Sequence, residues 1–328
     1  MTSILVFGAS GYSGLELCAS LARHPVGRLV GASSDKLRGQ PIRNLAPAAD
    51  DLAFLGHAEL LEHAAQGQIA FLATPAETSL DLAPKLLDRG VRVIDLSGAF
   101  RLRDASLYPT WYGFTHPRPE LLAEAAYGLP ELVEWPVSAR LVANPGCYAT
   151  AAALAAAPLV GGGLIEDGPL ILDGKSGTTG AGRRGEEAYS FSEVADTVRP
   201  YRLGLHQHVP EIEQTLAGVG APRQVSFTPH LIPMRRGLLV SGYARARAGV
   251  DTAKVRDAYR ARYAGRSFVR YLEDRPAEPG PTLHTNVCLV SAYLDMRTGI
   301  VSFYGALDNL VKGAAGQALQ NLDRLLGV

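Results

Sequence analysis

The sequence predicts an α/β protein with a doubly wound parallel sheet, followed by an α+β domain whose sheet is mostly antiparallel. Three observations support this prediction. In the first hundred residues, short apolar runs typical of strands alternate with helical patterns. The first run, Ile4–Phe7, passes directly into a glycine-rich turn and a helix that ends at His24-Pro25. From Gln224 onward, successive strand patterns separated by turn signals replace that alternation.

Composition points to a local site rather than to a charged binding surface. The 328 residues suggest about two domains. Lys+Arg and Asp+Glu balance at 32 each, so no net field attracts nucleic acid or an anionic membrane. The apolar run Ile4–Phe7 is too short for a signal peptide or a membrane span. We therefore expect a cytoplasmic protein with a small-molecule ligand.

The three cysteines, Cys18, Cys147 and Cys288, are odd in number and lack metal-ligand spacing. This pattern argues against a disulfide framework or a metal site, and it is typical of a reducing compartment. Cys147 follows the buried-strand pattern Leu141–Ala143 and precedes a helical pattern at Thr150–Ala157. A thiolate is favoured at such a strand-to-helix turn, because helix N-terminal N–H groups face it. The alternative is an inert buried cysteine.

The turn after the first strand has the position of a dinucleotide-binding loop in a Rossmann-type sheet. Its glycines would let the pyrophosphate approach the N-terminus of the following helix. The spacing is G-x-x-G-x-x-G rather than G-x-G-x-x-G, so a simple helix cap is the alternative. The candidate cofactor-binding residues of this loop are Gly8, Ser10, Gly11, Tyr12, Ser13 and Gly14.

The second strand, Arg28–Ala32, ends in a segment that bears on the choice between NAD and NADP. Ser33, Ser34, Lys36 and Arg38 supply hydroxyls and cations for a ribose 2′-phosphate and favour NADP. Asp35 is the residue that would favour NAD, because an acidic side chain there binds the 2′-hydroxyl.

Later turns are predicted to lie at the carboxyl edge of the same sheet. Thr74 and Ser97 follow two further strands and are candidate cofactor contacts, and Asn144 follows a third and is a candidate substrate contact. Because ligands bind along this edge, Cys147 is expected beside the nucleotide. Residues 98–138 are irregular and suggest a functional loop, in which Arg101 would clamp an anion or lie on the surface.

Two segments of the second half carry further candidates. Residues 174–185 are rich in glycine, hydroxyls and cations, which suits an anion-binding loop with Lys175, Ser176 and Arg183, or else a mobile surface loop. His206 and His208 are two residues apart and share no helix face, so joint metal ligation is disfavoured. One of them near a thiolate would be a general acid/base, with helix capping as the alternative.

Seven segments occur in the order seen in one known family. They are GASGYSG (8–14), DLSGAFRL (95–102), NPGCYAT (144–150), GKSGTTGAGR (174–183), HQHVPEI (206–212), RRGLL (235–239) and DNLVKGAAGQA (308–318). Together they cover nearly the whole chain and resemble the N-acetyl-γ-glutamyl-phosphate reductases, the NADPH enzymes of arginine biosynthesis. Ala99 and Gln207 depart from the family pattern, which more often has Asp and Arg there.

The resemblance implies a set of roles. Cys147 would be the nucleophile toward an acyl phosphate, and His208, rather than His206, the acid/base. Asn309 would begin a C-terminal segment that completes the cofactor domain. The implied domains are 1–147 with 308–328 for NADP binding, and 148–307 for catalysis and dimerisation. Because uncovered sheet faces commonly associate, we expect a homodimer or homotetramer.

Other readings remain open. A related acyl-phosphate reductase would act on carrier-bound aminoadipyl phosphate in lysine biosynthesis or on aspartyl phosphate. Tyr148 and Pro145 in NPGCYAT favour the arginine pathway over the first of these. A non-catalytic nucleotide-binding regulator of the same fold is an alternative of a different class, and in it Cys147 would react like any ordinary thiol.

Overall fold

The computed structural model describes residues 1–49, 51–183 and 191–328. The chain forms two compact units. The first comprises Met1–Gly128, Trp135–Gly146 and Ala314–Val328, and the second comprises Leu129–Glu134 and Cys147–Gly313.

The secondary-structure elements of the described chain are numbered here in chain order. The strands are β1 (Thr2–Phe7), β2 (Gly27–Ala32), β3 (Ile69–Leu72), β4 (Arg92–Asp95), β5 (Ala126–Tyr127), β6 (Leu141–Ala143), β7 (Leu170–Ser176), β8 (Arg199–Pro200), β9 (Val225–Leu231), β10 (Leu238–Arg245), β11 (Val269–Tyr271), β12 (Cys288–Asp295) and β13 (Ile300–Leu307). The helices are α1 (Tyr12–Leu21), α2 (His57–Glu62), α3 (Ala76–Asp88), α4 (Tyr108–Tyr112), α5 (Pro119–Glu124), α6 (Cys147–Gly161), α7 (Phe191–Val194), α8 (His208–Ala217), α9 (Thr252–Tyr263) and α10 (Gly316–Leu326).

The first unit contains a six-stranded sheet in the order β2-β1-β3-β4-β6-β5, and every pairing in it is parallel. The prediction of a doubly wound parallel sheet is confirmed. The strand order reverses between β1 and β3, which leaves a crevice at the carboxyl ends of these strands. The glycine-rich turn after β1 lies at that point.

Two apolar clusters cover the two faces of this sheet. Alternate residues of β1 divide between them, with Ile4 and Val6 in one cluster and Leu5 and Phe7 in the other. The first cluster also contains residues of α1 and of the C-terminal helix α10, including Ala318, Leu322 and Leu325. The second contains the buried face of α3. Both faces are therefore packed, as a buried parallel sheet requires.

The second unit contains a seven-stranded sheet in the order β11-β12-β13-β10-β7-β9-β8. Four of its six pairings are antiparallel, whereas β7–β9 and β11–β12 are parallel. The prediction of a mostly antiparallel second sheet is confirmed.

Helix α6 packs very closely on one face of this second sheet. Every residue from Tyr148 to Val160 is buried, and most are alanine. A Cβ added at Gly305 would lie 2.3 Å from the carbonyl oxygen of Ala151, and one at Gly174 would lie 2.5 Å from the Tyr148 ring. Glycine at these two strand positions and alanine along the helix are therefore what let the backbones approach.

Two sequence expectations are corrected by the structure. Residues 98–138 are not uniformly irregular, because they contain α4, α5 and β5. Pro109 and Pro119 lie in the first turns of the two helices, where a missing N–H costs nothing. The helix expected from Thr150 begins three residues earlier, at Cys147 itself. Among the described residues, none forms a helix long and apolar enough to cross a membrane.

Candidate active site

Cys147 is the first residue of α6 and is partly exposed, whereas Cys18 and Cys288 are buried. Burial raises the pKa of both Cys18 and Cys288 to about 12, so these two remain protonated and unreactive. The first backbone N–H groups of a helix have no intrahelical acceptor and point toward negative charge. Of the three cysteines, Cys147 alone therefore has both the access and the location that suit a nucleophile.

The two histidines lie against the residue that follows Cys147. The Tyr148 ring contacts the His206 and His208 rings edge-on, with centroid distances of 5.6 and 6.2 Å. Phe227 closes the cluster at 5.1 Å from Tyr148 and 5.3 Å from His206. The start of α6 is thus packed against both candidate bases in an apolar environment, which excludes water from their side chains.

The His206 imidazole is held neutral and contacts His208 directly. Burial, with a smaller effect from the Arg202 charge, lowers the pKa of His206 to about 3, so this ring is neutral at physiological pH. Its Nδ1 accepts a hydrogen bond from the His208 backbone N–H at 3.2 Å. His208 opens α8, and its ring lies 4.7 Å from that of His206. The neutral His206 orients the turn from which His208 projects.

Sequence reasoning missed Tyr148 and Phe227 in this cluster, and also the buried Glu211 of α8. Glu211 is completely buried and lies one helical turn after His208, on the same face of α8. Glu211 could have been identified from the sequence, because an acidic residue three positions after His208 interrupts an otherwise apolar helix start. The packing of Tyr148 could not be predicted from the sequence. Its ring occupies space that is open only because Gly174, distant in the chain, has no side chain.

The predicted anion-binding segment divides across the second sheet. Ser176 faces α6 and is buried, with its hydroxyl 3.1 Å from the Gly177 carbonyl oxygen. Lys175 points to the opposite face, where its Nζ lies 2.6 Å from Asp173. Arg183 is exposed at the end of the described segment. The structure therefore brings Ser176, and not Lys175, to the face that carries Tyr148.

In the first unit, two glycines of the Gly8–Gly14 turn stand where a side chain would not fit. Gly8 has a φ of +74°, and a Cβ there would lie 2.4 Å from the Ala73 carbonyl oxygen. A Cβ at Gly14 would lie 2.5 Å from the Gly8 carbonyl oxygen. Gly11 is the N-cap of α1 and places no side chain over the helix terminus. Tyr12 and Ser13 supply the first N–H groups of α1, which an anion would meet.

The segment after β2 has its acidic residue already engaged. An Asp35 carboxylate oxygen accepts the His57 backbone N–H at 2.8 Å, at the start of α2. The Ser33 hydroxyl lies 2.7 Å from Nδ1 of His57, and the Ser34 hydroxyl lies 2.7 Å from that of Ser10. Ser10 and Ser34 thus join the glycine turn to the end of β2.

Two cations flank this segment. Lys36 is exposed, and the Arg38 guanidinium forms an ion pair of 2.9 Å with Glu59. Because the side chains of both Arg38 and Glu59 are substantially exposed, this pair is weak and leaves the guanidinium accessible to a stronger anion.

The remaining edge residues form a connected polar network. Asp95 is fully buried, and this desolvation raises the pKa of its carboxyl group. Hydrogen bonds from Ser97 and Ser79, and the positive charge of Arg101, act in the opposite direction but are smaller effects. The Ser97 hydroxyl donates to Asp95 at 2.7 Å, and the Thr74 and Ser79 hydroxyls lie 2.8 Å apart. These contacts tie the ends of β3 and β4 together.

Arg101 and the two candidate asparagines are bonded to the main chain. Arg101 donates to the carbonyl oxygens of Leu96 and Asn144, both at 2.8 Å. The Asn144 amide donates to the Ala314 carbonyl oxygen at 3.1 Å and accepts from Asn321 at 3.0 Å. In the second unit, Asn309 accepts from the Gly237 N–H at 2.8 Å and donates to Thr179 at 2.9 Å. All three stabilise turns.

Comparison with known protein families gives two matches along the chain. Residues 3–138 match the family described as "Semialdehyde dehydrogenase, NAD binding domain". Residues 147–309 match the family described as "Semialdehyde dehydrogenase, dimerisation domain".

Curated relatives extend over nearly the whole chain. N-acetyl-gamma-glutamyl-phosphate reductase of Symbiobacterium thermophilum is 44% identical, over 98% of this chain and 94% of the relative. The protein of the same name from Thermus thermophilus is also 44% identical, over 98% of this chain and 96% of the relative. The protein of that name from Heliobacterium modesticaldum is 41% identical, over 100% of this chain and 96% of the relative.

Solved structures with the same fold are more distant in sequence. Aspartate semialdehyde dehydrogenase II from Vibrio cholerae superposes with a TM-score of 0.77 at 18% identity, over 99% of this chain and 98% of that one. Aspartate semialdehyde dehydrogenase with NADP from Candida albicans superposes with a TM-score of 0.68 at 14% identity, over 99% of this chain and 98% of that one. At this level of identity the likeness concerns the fold.

The lowered pKa of His206 predicts a pH-dependent stability. Between pH 6.5, the ordinary histidine value, and about pH 3, the unfolded chain binds a proton at His206 that the folded chain does not. The free energy of unfolding therefore falls with falling pH, at up to about 1.4 kcal/mol per pH unit from this residue. His206→Asn removes that contribution, so urea unfolding between pH 4 and 6 becomes less pH-dependent. His63→Asn, at an exposed histidine, is the matched control, and equal slopes in both variants would contradict the prediction.

Proposed function

This chain belongs to the N-acetyl-gamma-glutamyl-phosphate reductase family, and we propose that it reduces N-acetyl-γ-glutamyl phosphate to N-acetylglutamate semialdehyde with NADPH, in arginine biosynthesis. The observation that supports this most strongly is the start of α6, where Cys147 is partly exposed and its neighbour Tyr148 packs on His206 and His208. A nucleophile, a base and helix N-terminal N–H groups are the parts that thioester chemistry needs.

The proposed reaction begins at Cys147. Its thiolate attacks the acyl carbon of the substrate, and the carbon–oxygen bond to phosphate breaks, which leaves a thioester on Sγ. His208 accepts the thiol proton before attack and later returns a proton when the thiolate departs. The first N–H groups of α6 hold the oxyanion that develops on the acyl oxygen. Bound NADPH supplies the hydride that converts the thioester to the aldehyde.

His208 is preferred to His206 for physical reasons. A base with a pKa of about 3 binds a proton too weakly to accept one from a thiol near neutral pH. His206 therefore acts as a positioning group, through its Nδ1 contact with the His208 backbone.

The cofactor would be held by the first unit, which is proposed to be the NADP-binding domain. The turn formed by Gly8, Ser10, Gly11, Tyr12, Ser13 and Gly14 suits a pyrophosphate, because it leads into the N-terminus of α1, where the first N–H groups have no intrahelical acceptor. Arg38 and Lys36, with Ser34, would bind the ribose 2′-phosphate. Asp35 is bonded to the His57 N–H, which leaves it poorly placed to accept from a 2′-hydroxyl.

Substrate contacts are proposed in the second unit. Ser176 lies on the same sheet face as Tyr148, and Arg183 is an exposed cation at the end of the same glycine-rich segment. Lys175 lies on the opposite face in an ion pair with Asp173, a placement that favours a role in subunit association.

One face of the second sheet carries a row of exposed side chains suited to association of two copies. Tyr293, Ser302, Tyr243 and Ile171 lie opposite one another across β12, β13, β10 and β7. Tyr293 and Ile171 are 66% and 56% exposed, so this row is apolar and open. The helices α6, α8 and α9 pack on the other face. We propose a homodimer through this row, alone or within a homotetramer.

Activity is tested in the reverse direction. The purified chain should oxidise N-acetylglutamate semialdehyde with NADP and phosphate, and Cys147→Ser should lower the rate by roughly a thousandfold or more, because the hydroxyl is a far weaker nucleophile. Cys18→Ala, at a buried cysteine, is the control and should retain activity.

The same assay separates the alternatives. Glutamyl, aspartyl and aminoadipyl semialdehydes are supplied in parallel, and preference for one of them would replace the proposed substrate. Absence of turnover, with iodoacetamide alkylation of Cys147 no faster than that of free cysteine, would favour the regulator. Turnover of Cys147→Ser at the wild-type rate would exclude a thioester.

Cofactor preference is tested by comparing kcat/KM for NADP and NAD. NADP should be preferred, and Arg38→Ala should lower the preference about tenfold, the loss expected for one charge-assisted contact. Arg43→Ala, which removes a similarly exposed ion-paired arginine, is the control. Equal use of NAD by the unsubstituted chain would contradict the assignment of Arg38 and Lys36.

Association is tested by placing a charge on the open sheet face. Ile171→Arg should shift the mass measured by light scattering toward the monomer, because an arginine would be buried there without a partner. Val137→Arg is a closely matched control, since Val137 is also 56% exposed but lies in the first unit. An unchanged mass for Ile171→Arg would place the interface elsewhere.

A further inference from the structure

A π-helical turn, Val311–Ala315, follows the last strand of the second sheet. The N–H of Gly313 donates to the carbonyl oxygen of Asp308 at 3.0 Å, the wide spacing typical of such turns. The Asp308 side chain is fully buried and accepts from the N–H groups of Leu310 at 2.8 Å and of His284 at 2.8 Å. The start of the turn is therefore fixed from two directions.

Gly313 lies directly against the nucleophile. A Cβ at Gly313 would lie 2.7 Å from the Cβ of Cys147, 3.3 Å from its Cα and 3.2 Å from Cδ1 of Leu307. The backbone of Gly313 is not left-handed, so its conformation would accept any residue. Space, and specifically the space occupied by Cys147, is what requires glycine here.

The residue before Gly313 carries a buried charge. Lys312 is completely buried, and its Nζ lies 2.6 Å from Oε1 of Glu131 and 5.5 Å from the centre of the Phe268 ring. A charge buried this deeply is tolerated only when it is paired, so the two side chains hold each other in place. Glu131 lies in Leu129–Glu134, a short segment that belongs to the second unit although the residues before and after it belong to the first.

We propose that Gly313 and the Lys312–Glu131 ion pair are positioning residues for the Cys147 thiol. The ion pair anchors the turn, the turn presses the bare Gly313 backbone against Cys147, and this contact fixes the Cβ from which Sγ projects. Displacement of a reacting atom by about 1 Å typically costs about a hundredfold in rate. The inference rests on the proposed function only in that Cys147 is the nucleophile.

The first test compares Gly313→Ala with Gly280→Ala, where an added Cβ meets nothing within 4 Å. Gly313→Ala should lower kcat about a hundredfold, leave KM for the semialdehyde nearly unchanged and slow iodoacetamide alkylation. Alkylation of the folded protein reports on Cys147, because the thiols of Cys18 and Cys288 are buried. Gly280→Ala should match the wild type in every readout.

The outcomes are separable from those of the proposed function. Wild-type kcat and wild-type alkylation in Gly313→Ala would overturn the positioning role. If the unsubstituted chain shows no turnover, the proposed function fails, while the alkylation comparison still tests the positioning.

The second test removes the ion pair as a unit and does not depend on how Gly313→Ala folds. Glu131→Leu combined with Lys312→Met leaves no unpaired charge, so circular dichroism and melting temperature should stay near those of the wild type. The same variant should have lowered kcat and slowed alkylation, because the turn has lost its anchor. A folded double variant with wild-type kcat and alkylation would overturn the proposal.

Discussion

The close packing of α6 is the constraint on which the candidate site depends. Strand glycines at 174 and 305 leave no room for a side chain, and alanines line the helix between Tyr148 and Val160. A helix held this tightly begins at a fixed point, and that point is Cys147. The backbone of Cys147, the proposed nucleophile, is therefore positioned by the contacts that hold α6.

Burial gives groups of the same chemical type different properties. Cys18 and Cys288 have raised pKa values and Cys147 is partly exposed, so one thiol of three suits catalysis. His206 has a pKa of about 3 and remains neutral, while its ring packs against that of His208. Desolvation thus shifts the pKa values of Cys18, Cys288 and His206, so residue type alone does not predict which groups can react.

In the first unit, polar residues at the carboxyl edge of the sheet stabilise the turns around the proposed cofactor site. Asp95 receives hydrogen bonds from Ser97, and Arg101 bonds the carbonyl oxygens of Leu96 and Asn144. Loops at this edge cannot use ladder hydrogen bonds, so side chains must satisfy their main-chain groups. This explains why several residues expected to contact a ligand are bonded to the protein itself.

The sequence by itself determined the two sheets, the strand-turn-helix at Gly8–Gly14 and the candidates Cys147, His206 and His208, because these depend on local periodicity and on residue chemistry. Only the tertiary structure decided that β7 continues to Ser176, so that Lys175 and Ser176 lie on opposite faces of the second sheet rather than in one loop. It alone revealed that Tyr148 packs on both imidazoles, and that Gly313 touches Cys147 although 166 positions separate their numbers in the chain (313 minus 147). Contacts between residues distant in sequence, and the pKa changes that burial causes, leave no local pattern from which they could be predicted.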